Sequence, residues 1–308
     1  MSPITALAVC GPTASGKSEI ASLLAAEIGA EIVNADSRQV YAGMPIGTGW
    51  PSEQARARAQ HHLYGFVDPG ERYSAARFVS DASAACERIA RSGKMPILVG
   101  GTGLYIEALS GTMPLDRAVA DDELRARVRM EAAVHPHETL RAWLAAIDPE
   151  ASARVRPRDA YRTLRALESA LARRSDSRSH GALAPCVPVA LKVVVLEVDR
   201  EVLRRRIVTR VRDMFQKGLA QEAQAIAARW PDSPALSGLG YAEALAWQQG
   251  LATYEEAVRA TIRRTGQYAK RQQTWFRRMS DALRIEADDP IAALSALRAA
   301  ARENATST

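Results

Sequence analysis

The eight residues Gly11-Pro12-Thr13-Ala14-Ser15-Gly16-Lys17-Ser18 fit the pattern G-x-x-x-x-G-K-[ST], and no other stretch constrains this chain as much. The run Ile4-Thr5-Ala6-Leu7-Ala8-Val9-Cys10 before them is apolar throughout, which predicts a strand buried in a parallel sheet. Residues 19–29 follow with helical spacing and end on Gly29, a residue suited to a helix C-cap. A strand, a glycine-rich loop and a helix N-terminus in that order make an anion cradle. Backbone N–H groups face the anion, Lys17 adds a point charge, and the Ser18 hydroxyl is placed to ligate Mg²⁺. The stretch predicts a di- or triphosphate site. It leaves the compound open, with ATP as the default.

A second strand is expected over Glu31-Ile32-Val33-Asn34-Ala35-Asp36, followed directly by Ser37-Arg38-Gln39-Val40-Tyr41. Ligands of open α/β sheets bind beyond the carboxyl ends of the strands, so Asp36 and the phosphate loop are expected to share one crevice. Residues 42–73 are rich in Gly and Pro and read as irregular structure over its mouth. His61 and His62 lie there; adjacent histidines point different ways, so the pair predicts hydrogen bonding rather than a metal site. A helix is expected from Ser74 to about Ser92, then a third strand, Pro96-Ile97-Leu98-Val99. This strand runs into Gly100-Gly101-Thr102-Gly103-Leu104-Tyr105, a second glycine-rich loop with Thr102 placed to cap the next helix.

Beyond about Pro114 the composition changes. Helical spacing covers 121–134, 138–147 and 158–174 with no strand between, which predicts a helical insert in the α/β core. The insert carries many arginines and few acidic partners over 151–174, as a phosphate-backbone surface would. After a polar linker, 175–188, a fourth strand is expected over 189–198 and a long helix over 200–217. Arg206 and Arg210 share a face of that helix, either as a pyrophosphate clamp or as surface ion pairs. A second long helix, 254–278, interleaves basic and aromatic residues, with Trp275 and Phe276 expected in the core. A short strand over 282–286 and a terminal helix complete the chain.

With 308 residues, 47% hydrophobic and 25% charged, the chain has the makings of an ordinary globular α/β protein rather than a disordered or membrane one. Its formal charge of +6, mostly from arginine, suits a polyanionic partner. Cys10, Cys86 and Cys186 show no paired spacing, which excludes a disulfide framework or zinc site of recognisable pattern. No apolar run reaches the ~18 residues of a membrane span, and the N-terminus enters a strand directly. A cytoplasmic setting without membrane attachment is the expectation.

The motifs also fit one family in order and spacing. They are Gly11 to Ser18; Asn34-Ala35-Asp36-Ser37 with Gln39-Val40-Tyr41; Met44-Pro45-Ile46-Gly47-Thr48; and His61-His62-Leu63. Tyr73-Ser74-Ala75-Ala76-Arg77-Phe78, Leu98 to Tyr105, Arg165-Ala166-Leu167-Glu168 and Tyr268-Ala269-Lys270-Arg271-Gln272 continue the series. Over about residues 4–278 the sequence resembles the bacterial tRNA dimethylallyltransferases. The resemblance implies an α/β fold: a P-loop nucleotide-kinase-like parallel sheet core, 1–114 and 188–308, with an inserted all-helical domain, 115–187, that grips the tRNA anticodon stem. It implies transfer of a dimethylallyl group from dimethylallyl diphosphate to N6 of the adenosine 3′-adjacent to the anticodon, in tRNAs reading codons that begin with U. Mg²⁺ is the implied cofactor and a monomer the expected state.

By the same resemblance Asp36, Thr102 and Arg210 are the catalytic group: Asp36 accepts the N6 proton, Thr102 hydrogen-bonds at the reaction centre, and Arg210 contacts the diphosphate. Gly11, Pro12, Thr13, Ala14, Ser15, Gly16, Lys17 and Ser18 hold the diphosphate, with Ser18 at the metal. Asp36, Ser37, Arg38, Gln39 and Thr102 hold the target nucleotide, and Arg125, Tyr161, Arg162, Thr163, Leu164 and Arg165 meet the tRNA. Three places break the family pattern: Gly49-Trp50, Tyr64-Gly65-Phe66, and Gly266 where an arginine is usual. The alternatives are prenylation of a free adenine nucleotide, a small-molecule kinase using ATP, and a non-catalytic RNA-binding protein. The arginine-rich insert weighs against the first, and the phosphate loop with Asp36 against the last.

Overall fold

The structure is a computed structural model that describes residues 3–113, 122–174 and 186–306. Six strands form one sheet: β1 (Ile4–Cys10), β2 (Glu31–Asn34), β3 (His61–His62), β4 (Pro96–Gly100), β5 (Val189–Glu197) and β6 (Leu283–Glu286). Their order is β3-β2-β4-β1-β5-β6, and every pairing is parallel. Helices α1 (Lys17–Ile28), α2 (Pro45–Thr48), α3 (Glu53–Arg58), α4 (Ala75–Arg91) and α5 (Gly103–Leu109) lie along the first half. The helices α6 (Asp122–Val134), α7 (His137–Ile147), α8 (Pro149–Arg154) and α9 (Ala160–Arg174) follow. After β5 come α10 (Arg200–Gln216), α11 (Leu219–Arg229), α12 (Tyr241–Gln248), α13 (Tyr254–Phe276) and α14 (Pro290–Thr306).

The apolar run of β1 is explained by its place in the middle of the sheet, where Ala6, Leu7, Ala8, Val9 and Cys10 are wholly buried. Alternate side chains enter different cores. Leu7 and Val9 join Ile97, Val99, Val194 and Leu196 on the face covered by α1 and α10. Ala6, Ala8 and Cys10 join Leu98, Phe78 and Ile106 on the face covered by α4 and α5. With both faces of the central strands covered, a ligand reaches the sheet at its strand ends, the carboxyl edge included. Burial pushes the Cys10 thiol up to about 12, so it packs there as an inert hydrophobe.

The chain divides into two compact units, Met1–Met113 with Cys186–Thr308, and Pro114–Pro185. The second consists, in its described residues, of α6 to α9 around Val128, Leu140, Leu144, Ala151, Leu167 and Ala170. No helix among the described residues is long and apolar enough to cross a membrane.

Six elements escaped the sequence pattern. Residues 42–73 are not all irregular: they hold α2, α3 and the edge strand β3, whose two residues are too few to show a period. In the helical unit α8 had no counterpart, and between α10 and α13 the helices α11 and α12 had none either. The last helix of the insert begins at Ala160 rather than Arg158. Residue 121 and the linker residues 175–185 lie outside the described residues.

Candidate active site

The phosphate loop joins β1 to α1, and Gly16 at the N-cap has φ +88°, a left-handed conformation that glycine adopts without strain. Lys17 Nζ donates to Pro12 O at 3.2 Å, folding the side chain back over the loop. Burial pulls the Lys17 ammonium down to about 8, opposed by the charge of Asp36 and reinforced by Arg210. Arg206 donates to Ser15 O at 3.4 Å and to Ala287 O and Asp288 O at 3.1–3.2 Å. Its hydrogen bonds go to backbone carbonyls, of which Ser15 O belongs to the phosphate loop, and with Arg210 it lines one hollow.

Asp36 is fixed by its neighbours just beyond β2. Its N–H donates to Asn34 Oδ1 at 2.9 Å, and its own Oδ1 accepts the Arg38 N–H at 2.9 Å. Asn34 is fully buried and also donates to Asp36 O and Leu63 O, at 3.1 and 2.9 Å. The sequence carried Asn34 as a motif residue without a role; its use becomes visible only when Leu63 arrives from elsewhere in the chain.

Thr102 does not cap α5 through its side chain. Its Oγ1 instead accepts the Ser37 N–H at 3.0 Å and donates to Ser37 Oγ at 3.3 Å, tying the two strand-end loops together. Ser37, from the loop that follows the neighbouring β2, competes for the hydroxyl. Gln39 is buried, with Nε2 donating to Thr48 O at 3.2 Å and Gly49 O at 2.7 Å, so it shapes the adjoining loop. Arg38 reaches Ser237 Oγ at 3.1 Å.

Arg210, half-buried on α10, donates to Thr48 O at 3.4 Å, and burial lowers its pKa against the opposing pull of Asp36. A Cβ at Gly49 would collide with its guanidinium, which accounts for glycine at one position that departs from the family pattern. Trp50 packs against Gly65, so two departures from that pattern meet in space. A side chain at Gly266 would meet nothing within 4 Å.

Of the sequence-predicted residues Thr13, Asp36, Arg38 and Arg210 border a cleft of about 300 Å³, together with Tyr241 and Tyr268. Arg210 also lines a second hollow of about 650 Å³ with Trp50, Arg56 and Lys217. Tyr241 and Glu222 were not legible as site residues. Glu222 accepts Ile46 N–H and Gly47 N–H at 2.8 Å and the Tyr241 hydroxyl at 2.7 Å, and burial raises its pKa. Glu222 thereby anchors the segment whose carbonyls receive Gln39 and Arg210. No group of three or more His, Cys, Asp or Glu able to hold a metal occurs among the described residues. The histidine pair is spent otherwise: His62 Nε2 lies 2.7 Å from Glu31 Oε2, and His61 Nδ1 lies 2.8 Å from Ala59 O. A cation at the loop would take its ligands from the Ser18 hydroxyl, the bound diphosphate and water, an all-oxygen set that fits Mg²⁺.

In the helical unit Tyr161 is 73% exposed and Arg162 also faces outward. Thr163 does not: it is fully buried, with Oγ1 3.0 Å from His137 Nε2, and Leu164 packs on the unit's core. Arg165 pairs with the buried carboxylate of Glu168, and Arg125 Nε lies 4.0 Å from the same group. Arg173 pairs with Asp148 at 2.5 Å, and Arg162 with Asp159 at 3.5 Å. The two acids of this stretch, Asp159 and Glu168, are thus both taken up by arginines, and Arg154 and Arg173 find Glu150 and Asp148 just before it.

Residues 39–279 match the family model described as IPP transferase, and residues 4–64 match Isopentenyl transferase. The chain is 42% identical over 294 residues to the tRNA dimethylallyltransferase of Halorhodospira halophila, covering 93% of this chain and 94% of that protein. It is 45% identical over 274 residues to that of Anaeromyxobacter dehalogenans, covering 88% and 91%. Among solved structures, the full-length tRNA isopentenylpyrophosphate transferase of Bacillus halodurans superposes with a TM-score of 0.70 at 31% identity, over 98% of both chains. A eukaryotic dimethylallyltransferase captured acting on tRNA gives 0.75 at 26% identity, over 99% of this chain and 78% of that one. The match to the family model over most of the sequence and the identity to full-length relatives place this chain in the tRNA dimethylallyltransferase family of IPP transferases.

Proposed function

We propose that this protein transfers a dimethylallyl group from dimethylallyl diphosphate to N6 of the adenosine 3′-adjacent to the anticodon, in tRNAs reading codons that begin with U. The observation that carries the reading is the single cleft bordered by Thr13 of the phosphate loop, Asp36 and Arg210. An adenine N6 is a weak nucleophile because its lone pair is delocalised into the ring. The reaction needs a good electrophile, an acceptor for the N6 proton and stabilisation of departing pyrophosphate. As the C–O bond of the prenyl diphosphate breaks and the N6–C bond forms, the proton passes to Asp36 and pyrophosphate leaves. Loop N–H groups, Lys17 and Arg210 meet the charge that develops on it. Thr102, held by Ser37, hydrogen-bonds at the reaction centre, and Arg38 contacts the target nucleotide. The Ser18 hydroxyl would hold Mg²⁺, which would supply further charge neutralisation on the diphosphate when bound.

The target base must leave the anticodon-loop stack, at a cost of a few kcal/mol, and loop bases are open to such recognition. Tyr161 and Arg162 of the helical unit supply contacts to the tRNA. All these groups come from one chain, so the proposal needs only a monomer. The test is direct. Purified protein with Mg²⁺, dimethylallyl diphosphate and an unmodified anticodon stem-loop releases pyrophosphate and prenylates the adenosine. Prenylation of AMP with none of the stem-loop would overturn the tRNA reading in favour of a free-nucleotide enzyme.

A further inference from the structure

Gln272 lies on α13, far in sequence from either glycine-rich loop, yet its amide touches both. Its Oε1 accepts the Thr13 N–H at 2.8 Å, and its Nε2 donates to Gly101 O at 2.9 Å. The side chain is 4% exposed, and these two partners fix the orientation of the amide, because the flipped form would set N–H₂ against N–H. The fit is close. A Cβ at Gly101 would run into Gln272 Nε2 and stand 3.3 Å from Gly11 O, so both loops and α13 converge at this point. One turn further along α13, Trp275 lies where a Cβ at Gly103 would be, a second contact with the same loop.

The two loops serve different reactants. Thr13 belongs to the loop that cradles the diphosphate, and Gly101 precedes Thr102, which is joined to the Asp36 segment through Ser37. We infer that Gln272 is a positioning residue that holds the diphosphate loop in register with the loop that orients the target base. The inference rests on the proposed reaction. It assigns Gln272 no contact with either substrate: its effect is on the relative placement of the attacking nitrogen and the allylic carbon. A misplacement of about 1 Å costs on the order of 10²-fold in rate.

Two variants test it. Gln272→Met keeps the length and loses both hydrogen bonds. At saturating substrates its single-turnover rate is expected to fall roughly 10- to 100-fold. Its dissociation constants for inorganic pyrophosphate and for the stem-loop stay within about threefold of wild type, since neither substrate touches the residue. Gln272→Glu offers a sharper reading. Protonated, the new carboxyl has one donor and one acceptor, as the amide does; ionised, it opposes Gly101 O with a second acceptor. Its deficit relative to wild type, taken per folded protein by circular dichroism at each pH because the same ionisation also lowers stability, is therefore expected to shrink as pH falls from 8.5 to 6. A third readout needs no turnover: hydrogen exchange at the Thr13 amide is expected to quicken in Gln272→Met and to stay slow in wild type. Unchanged exchange with a rate within threefold of wild type would overturn the inference, as would a rate that falls only in proportion to the folded fraction by circular dichroism. If wild-type protein fails to prenylate the stem-loop, the proposed function fails, and the exchange result still decides whether the latch exists.

Discussion

Asn34 Oδ1 accepts the backbone N–H of Asp36 at 2.9 Å, so a fully buried amide sets the direction in which the chain leaves β2. Asp36 is proposed as the proton acceptor, and general-base catalysis typically contributes 10²–10⁴-fold. Asp36→Ala is expected to lose roughly that factor in kcat while still binding the stem-loop. Asn34→Ala leaves the carboxylate in place but unsteadied, and exposes backbone partners to an unfilled site. It is expected to lower kcat less than Asp36→Ala and to cost about 1–3 kcal/mol of stability. Steady-state kinetics and denaturant titration check both; normal turnover in Asp36→Ala would remove it as the base.

Lys17 carries a pH dependence of known sign. Its pKa in the protein is lowered to about 8, so the ammonium is present below that pH and lost as pH rises through it. A diphosphate favours the charged form, and binding above pH 8 must take up a proton. Affinity for dimethylallyl diphosphate is expected to weaken between pH 8 and 9.5, by up to about tenfold per pH unit. Calorimetric titration of the wild type and Lys17→Met separates this from the ligand's own ionisation: the slope flattens in the variant.

Glu222 receives three donors on two oxygens, from Ile46, Gly47 and Tyr241. In Glu222→Gln an amide N–H₂ must face a donor, at a cost of about 1–3 kcal/mol. The lesion lies next to Thr48 and Gly49, whose positions set that of Arg210. A lower melting temperature together with a raised KM for dimethylallyl diphosphate is the expected outcome. A raised Glu pKa means that the ionised form is disfavoured on folding. This group's contribution to stability therefore improves as pH falls from the folded-state pKa toward the unfolded one. The variant lacks that trend.

Arg162 and Arg165 are three residues apart and are expected to behave differently. Arg162→Ala and Tyr161→Ala weaken stem-loop binding with little change in melting temperature, and Arg162→Ala flattens the salt dependence of the dissociation constant by about one phosphate contact. Arg165→Ala leaves Glu168, 1% exposed, with one less partner and lowers the melting temperature instead. The double variant with Glu168→Gln recovers stability. Filter binding over a salt series and thermal melts distinguish the two.

Much of this architecture is written locally. The strand–loop–helix at Gly11 to Ser18, the doubly buried β1 and the helical character of 122–174 follow from pattern, because period and glycine placement depend on near neighbours. Asp36 and Thr102 could be placed beyond the strand ends from sequence because strand ends and glycine loops mark a ligand edge in such sheets. Tertiary structure alone decided which side chains line the cleft and which are consumed by the fold. Arg206 goes to backbone carbonyls, Thr163 to the interior of its unit, and Arg165 to Glu168. It also created partners that sequence separation hides: Gln272 with Thr13, Glu222 with Gly47, and Asn34 with Leu63. The physical reason is that a buried polar group must find a hydrogen-bond partner wherever the chain path supplies one. Local sequence states that the group exists; only the folded path states who satisfies it.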